Sequence, residues 1–411
     1  MAERATSPAA ETGAVAPAML APEDVARGWL TGTSASAPPV QGRAAGRSPA
    51  QALEDVMVEA LSQPPCLVLF SGGRDSSLML GAASAVALRQ GLPLPVAVTE
   101  RYGTDVDADE SAWQEAVIHV VKVEDWVRLT ATEAADLLGT TAQASLARFG
   151  LRWPPLAHTR AWFLPQLLGP PAADGTPRAT VVDGEGGDEL LAARRLAPLV
   201  RLARTGRVGP HGAAQLVRGL APRPLRRWLT RKQIGTSLVP WLRPAAAEAF
   251  ADDLVRDAVA EPLRWDRAVP CLLARRAVHE GLATLDTVVA AAGARSRHPL
   301  LDPAVVDAVA EAGGPVGFAG RADALRQLFG AHLPAPVGHR STKAHFNRVV
   351  FGPRARAFAR TWDGSGVSHD LVAVERLRAE WDAEEPSALS FLALHAAWLA
   401  SQPPRDGHAP V

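Results

Sequence analysis

The chain has 411 residues, 47% hydrophobic and 21% charged, and its 43 basic and 43 acidic side chains cancel to a formal net charge of zero. This is the composition of a globular chain of one large or two ordinary domains, and it excludes an overall field that would recruit nucleic acid or a membrane surface. Two cysteines, Cys66 and Cys271, exclude a disulfide framework and a cysteine-rich metal site. With no signal peptide at Met1 to Pro17 and no run of 18 or more apolar residues, a cytoplasmic location is expected.

In chain order, residues 1–47 are crowded with Ala, Pro, Gly and Ser and read as a flexible segment with one short docking helix around Val25, Trp29 and Leu30. Ser48-Pro49-Ala50-Gln51 supplies an N-cap, an N1 proline and a capping-box glutamine. The helix it opens carries Leu53, Val56, Met57, Ala60 and Leu61 on one face, and Pro64 and Pro65 end it. A strand is expected over 66–70 and a helix over 75–90, closed by Gly91. Further strands are expected at 95–99, near 118–123 and at 179–182, with helices near 107–117, 130–148 and 157–168 between them. Such alternation predicts a parallel α/β sheet with right-handed crossovers, whose ligands sit beyond the carboxyl ends of the strands at loops 71–75 and 183–189. Residues 191–400 show helical periodicity, and 401–411 read as a disordered tail. The expected organisation is thus 1–47, then one domain over 48–400 with its α/β part at 48–190, then the tail.

The turn after the first strand, Ser71-Gly72-Gly73-Arg74-Asp75-Ser76-Ser77, has the makings of a phosphate cradle. Glycines let backbone amides approach an anion, and the helix N-terminus adds unpaired N–H groups. Asp75 can hold Mg2+, and Ser71, Ser76 and Ser77 can donate to phosphate oxygens. An ordinary strand-turn-helix corner with a serine N-cap is the alternative. The lysine and spacing of a Walker loop are absent. A second loop, Asp183-Gly184-Glu185-Gly186-Gly187-Asp188-Glu189, repeats the strand-glycine-carboxylate pattern, and by itself is equally readable as a turn.

The first loop resembles the pyrophosphate loop of the ATP pyrophosphatases, which cleave ATP between its α and β phosphates. Taken with the second loop, about 110 residues on, the chain from about 50 to 365 resembles the synthetase domain of asparagine synthetase and its relatives. The resemblance implies a parallel-sheet ATP pyrophosphatase (adenine nucleotide alpha hydrolase-like) domain with a helical C-terminal half, and ATP and Mg2+ as cofactors. It implies that Asp75 and Asp188 hold the ion, and that Glu185 handles the proton or orients the amine. It places Leu69, Phe70 and Val98 in an adenine pocket, Glu110 near the nucleotide, and Gly72, Gly73 and Gly184 against ATP. Arg340-Ser341-Thr342-Lys343 matches a family loop whose lysine steadies developing charge; unaided, those bases would read as solvated surface. Arg297-His298-Pro299-Leu300-Leu301-Asp302 resembles a segment that shapes the acceptor pocket.

The chain also departs from the pattern. Asp183 stands where asparagine synthetases have Ser or Thr, and Arg295 where the family often has an acid. Tyr102, the only tyrosine, is not placed to form the Tyr-Glu dyad of β-lactam-forming relatives. Position 2 is Ala and not the catalytic Cys of glutamine-dependent relatives, so the amine is expected to come with the substrate or as free ammonia. Between Leu190 and Ala247 no residue is acidic and twelve are basic, which reads either as a docking surface for an acidic peptide or partner protein or as a solvated helical face. The function expected is ATP-dependent amide formation by adenylation of a carboxylate, of the type of lasso-peptide macrolactam synthetases. A small-molecule amide synthetase, an ammonia-dependent enzyme and a non-catalytic nucleotide-binding scaffold are the alternatives.

Overall fold

The computed structural model describes residues 19–35, 46–102, 110–131, 133–207, 209–339 and 347–403. Strands β1 (Cys66–Leu69), β2 (Val96–Arg101), β3 (Trp126–Thr130), β4 (Thr180–Val182) and β5 (Arg295–Arg297) form one parallel sheet in the order β3-β2-β1-β4-β5. Leu67 of β1 lies between Val96 of β2 and Val181 of β4. Strand β1 is a continuous apolar run, and β4 is buried throughout as Thr180, Val181 and Val182, as parallel central strands covered on both faces require. Strand order reverses at β1, so a crevice opens beyond the carboxyl ends of β1 and β4.

Helix α1 (Pro22–Arg27) docks as the apolar cluster at 25–30 suggests: Val25, Ala26 and Leu30 are buried, and Asp24 receives both terminal nitrogens of Arg276 at 2.8 and 2.6 Å. Helix α2 (Pro49–Leu61) begins in the expected capping box, with Ser48 and Gln51 each accepting from the other's backbone N–H. Helix α3 (Arg74–Gln90) crosses from β1 to β2 and buries Leu78, Met79, Leu80 and Val86 completely, each side chain contributing about 1.5–3 kcal/mol. Its Gly81 is a packing glycine, because a Cβ there would lie 2.2 Å from the His332 carbonyl oxygen. This packing fixes the N-terminus of α3, and with it the glycine turn.

Three element boundaries differ from expectation. The strand expected near 118–123 is the end of α4 (Ser111–Val121), which Lys122 closes at φ 56°, and the strand follows at 126–130. Val117 is buried while Ile118 and Val121 pack on the core from one helical face; a short apolar run does not by its period separate the two structures. The helix expected over 157–168 is two short ones, Ala157–Arg160 and Leu164–Leu168, since Pro165 lacks the N–H a continuous helix needs. The helix expected near 130–148 is a 3-10 turn at Glu133–Ala135 followed by α5 (Thr140–Phe149). Strand β5 was not expected at all: Arg-Ser-Arg has no apolar residue, and it forms because the edge of β4 is open to pairing, with Arg295 N–H donating to Ala179 O at 2.9 Å.

The C-terminal helices are tied to the sheet domain through Asp136. Its fully buried carboxylate accepts from the N–H groups of Leu138 (2.9 Å), Arg354 (2.7 Å) and Ala355 (3.1 Å), capping the helix Pro353–Thr361. Nearby, Leu137 N–H donates to Val350 O at 2.9 Å, which sets the wall of the crevice. Replacing Asp136 with Ala leaves those donors buried and unmet. We expect a loss of about 3 kcal/mol, read as a lower urea midpoint.

Candidate active site

Loop 71–77 is shaped before any ligand arrives. The Ser71 and Ser76 hydroxyls lie 3.1 Å apart, Ser71 Oγ accepts from Gly73 N–H at 3.2 Å, and Ser76 Oγ accepts from Ser71 N–H at 3.2 Å. Gly72 sits at φ 85°, where a Cβ would meet Gln114 Cγ at 3.0 Å. Gln114 also donates to Ser71 O at 3.0 Å, so α4 braces the turn. These hydroxyls and amides form a polar cup at the N-terminus of α3, the arrangement that favours phosphate oxygens.

The second loop lies directly against the first. A Cβ on Gly184 would stand 3.0 Å from the Asp75 backbone and Cβ, and one on Gly187 would stand 2.2 Å from the Asp75 carboxyl carbon. Gly186 takes φ 87° with Leu301 beneath it. Asp75 and Asp188 converge on one group: the two terminal nitrogens of Arg321 donate to Asp75 Oδ2 and Asp188 Oδ1. Burial pushes the Asp75 carboxyl up, and Arg321 opposes that shift. Its Oδ1 is buried with no hydrogen-bond partner.

These features fit Mg2+. Asp75 and Asp188 already serve one cation between them, the Arg321 guanidinium, and Asp75 keeps a buried acceptor with no hydrogen-bond partner. Among the described residues no three His, Cys, Asp or Glu side chains gather to hold a metal unaided, which suits an ion completed by phosphate oxygens and water.

A cavity of about 340 Å³ lies over the two loops. Ten of the expected site residues line it: Leu69, Phe70, Ser71, Gly73, Asp75, Ser76, Val98, Glu110, Gly184 and Glu185. Gly72 and Ser77 belong to the loop without lining the cavity, and Asp188 joins it through Arg321. Arg340 and Lys343 lie outside the described residues.

Other lining residues were not anticipated. Arg160 pairs with Glu185, and although burial works against its charge, Glu185, Asp183 and Glu100 hold its pKa up. Glu100 accepts from Trp162 Nε1 at 2.7 Å and from the Tyr102 hydroxyl at 2.8 Å. Tyr102, as the only tyrosine, was the one sequence signal for this wall; Arg160 had none.

Asp183 has a positive role in place of the hydroxyl it replaces. Its Oδ1 accepts from Glu185 N–H at 3.1 Å, and both its oxygens lie 3.0 Å from His298 Nδ1. The other imidazole nitrogen lies 3.2 Å from Asp286 Oδ1. Burial opposes charge on His298, but Asp183 and Asp286 together raise its pKa to about 10. The pair fixes the loop that presents Glu185.

Because the folded pKa of His298 exceeds its unfolded value of about 6.5, the native state holds the extra proton between these values. That stabilisation is complete below pH 6.5 and is lost as pH rises towards 10. We expect His298→Gln to cost about 2 kcal/mol at neutral pH and to flatten the decline of the urea midpoint between pH 7 and 10.

The model of the asparagine synthase family matches residues 50–400, and no curated protein matches the chain. Members of that family are ATP-dependent carbon–nitrogen ligases that release AMP and pyrophosphate and use ATP with Mg2+. With the matched segment covering most of its length and both glycine loops meeting over one cavity, the chain belongs to the asparagine synthase family.

Proposed function

We propose that this ligase activates a carboxylate of a peptide substrate and closes an amide with an amine of the same chain, as in macrolactam formation. The carrying observation is the junction of the two loops, with Asp75 and Asp188 on one cation and Glu185 across the cavity. ATP is consumed as a substrate. An oxygen of the substrate carboxylate attacks the α-phosphorus, and the bond to the bridging oxygen breaks to release pyrophosphate. The amine nitrogen then attacks the acyl carbon and AMP leaves with the electron pair of the acyl–oxygen bond. The nitrogen must lose a proton, and in this reading the Glu185 carboxylate, which lines the cavity, takes it. Mg2+, when bound, would supply neutralising charge for the triphosphate. Ser71, Ser76 and the amides of 71–77 position phosphate oxygens. Arg340 and Lys343 are proposed to face charge building on them.

Two observations favour a peptide over a free amino acid. A second cavity of about 1030 Å³, lined by Arg348, Arg354, Arg356 and Arg360, shares Tyr102 with the first and offers room for a chain leaving the site. The basic segment after the second loop supplies an outer surface. Eight of its twelve cations fall into two sets. Arg194, Arg204 and Arg231 pair with Glu261, Asp323 and Asp252, and Arg226 donates to Val259 O at 2.7 Å. Arg218, Arg223, Arg227 and Lys232 pair with no carboxylate among the described residues, and Val217, Leu220, Leu225 and Trp228 stand exposed between them. Basic groups around exposed apolar ones suit an acidic segment with apolar anchors.

Pyrophosphate release is the first test. A peptide with a free amino terminus and an Asp or Glu side chain should trigger it, and Asp75→Ala should lower it about a thousandfold. Glu185→Gln should retain exchange of labelled pyrophosphate into ATP while losing amide formation by about a hundredfold or more. Release driven equally well by a single amino acid with ammonium would favour the small-molecule reading.

The surface is tested separately. Arg227→Glu with Lys232→Glu should weaken binding of an acidic, leucine-bearing peptide by about tenfold at low salt, whereas Arg226→Ala acts on stability. Unchanged binding in the double variant removes the docking surface.

A further inference from the structure

We propose that Arg321 is the resident counter-ion of Asp75 and Asp188 and makes entry of the metal conditional on the nucleotide. The proposal rests on the reading of these aspartates as the metal carboxylates. Arg321 is the first residue of the helix Arg321–Phe329, whose Ala324, Leu325, Leu328 and Phe329 are buried. The helix is therefore held by the core, and its first side chain reaches to the tips of β1 and β4. A planar guanidinium fork serves two carboxylates at once, which a lysine ammonium does less well. Glu185 and Glu189 add their charge to the same neighbourhood, so removing the cation without a substitute leaves like charges facing one another.

The contact is nevertheless built to be broken. The Arg321 side chain is 25% exposed, and its Nε is buried without a hydrogen-bond partner. Rotation about its own bonds carries the fork into solvent without moving the helix. On the other side, Asp75 Oδ1 is buried and unpartnered, an acceptor left over for an incoming cation. A bare divalent ion must displace the guanidinium, which then has no other anion to move to. An ion carried on a triphosphate brings its own oxygen ligands and gives the displaced guanidinium phosphate oxygens to bind. The site therefore stays closed to metal alone and opens to the metal–nucleotide complex, with Arg321 passing from carboxylates to phosphates.

The test uses the full chain and Mn2+ as the probe, with free Mn2+ followed by electron paramagnetic resonance. Wild-type protein should take up Mn2+ weakly alone and tightly with α,β-methylene-ATP. Arg321→Gln, with folding checked by circular dichroism, should bind Mn2+ without nucleotide about tenfold more tightly than wild type. Adding Asp188→Asn to that variant should abolish the gain, which locates the ion. Nucleotide-free binding equal in wild type and Arg321→Gln overturns the proposal. So, by itself, does tight wild-type binding that is indifferent to nucleotide, whatever the fate of the variant. If no Mn2+ binds even with the nucleotide analogue, the assignment of Asp75 and Asp188 to the metal fails first and the gate fails with it.

Discussion

The contact on which the site depends is that between Asp75 and the second loop, its backbone and Cβ against Gly184 and its carboxyl against Gly187. A methyl group at either position would overlap Asp75 or press hard against it. The approach is possible because β1 and β4 are hydrogen-bonded neighbours whose ends fall level, with Val68 paired to Val182. Two turns leaving adjacent strands at the same height meet unless a side chain prevents it. Sheet register and the glycines together thus bring a carboxylate, a second carboxylate and a polar cup within one ligand's reach. Membership of the asparagine synthase family explains the use of such a cleft: adenylation demands that a triphosphate be held while its innermost phosphorus is left open to attack.

Around this contact, charge is matched group by group. Arg321 answers Asp75 and Asp188, Arg160 answers Glu185, and His298 answers Asp183 and Asp286. Three cations shared among five carboxylates reduce the like-charge repulsion in this half-buried space without cancelling it. It also separates two kinds of acid. Asp183 is committed to loop shape, through one backbone amide and an imidazolium. Glu185 and Asp188 face arginines that retain access to solvent, and their partners are exchangeable.

The two loops were legible in the sequence because their backbone geometry needs glycine and their chemistry needs carboxylates, and both demands leave letters in fixed spacing. The α/β alternation was legible for the same kind of reason: the α2 capping box and the Gly91 helix end are local signals. The cations were not. Arg160 and Arg321 come from short or ordinary helices, distant in sequence, and only the fold brings them to the cleft. With three lysines among 43 basic residues, arginine is so common that its presence at any position says little. The pairing of Arg226 with Val259, beside the outward Arg227, shows the same limit: two adjacent arginines read alike and face opposite fates. Strand β5 was illegible because an edge strand of three polar residues owes its conformation to its neighbour's unpaired groups and not to its own preference.

That edge strand has a wider meaning. The outer strands of the sheet, β3 and β5, both carry arginine: Arg128 stacks on Trp126 at 4.6 Å, while Arg295 reaches Gln63 at 2.7 Å and Arg297 pairs with Glu59. Long charged side chains along an exposed border discourage another chain from zipping onto it. Both borders of the sheet thereby resist lateral annealing, and its working contacts are left to the strand tips, where the two glycine loops meet.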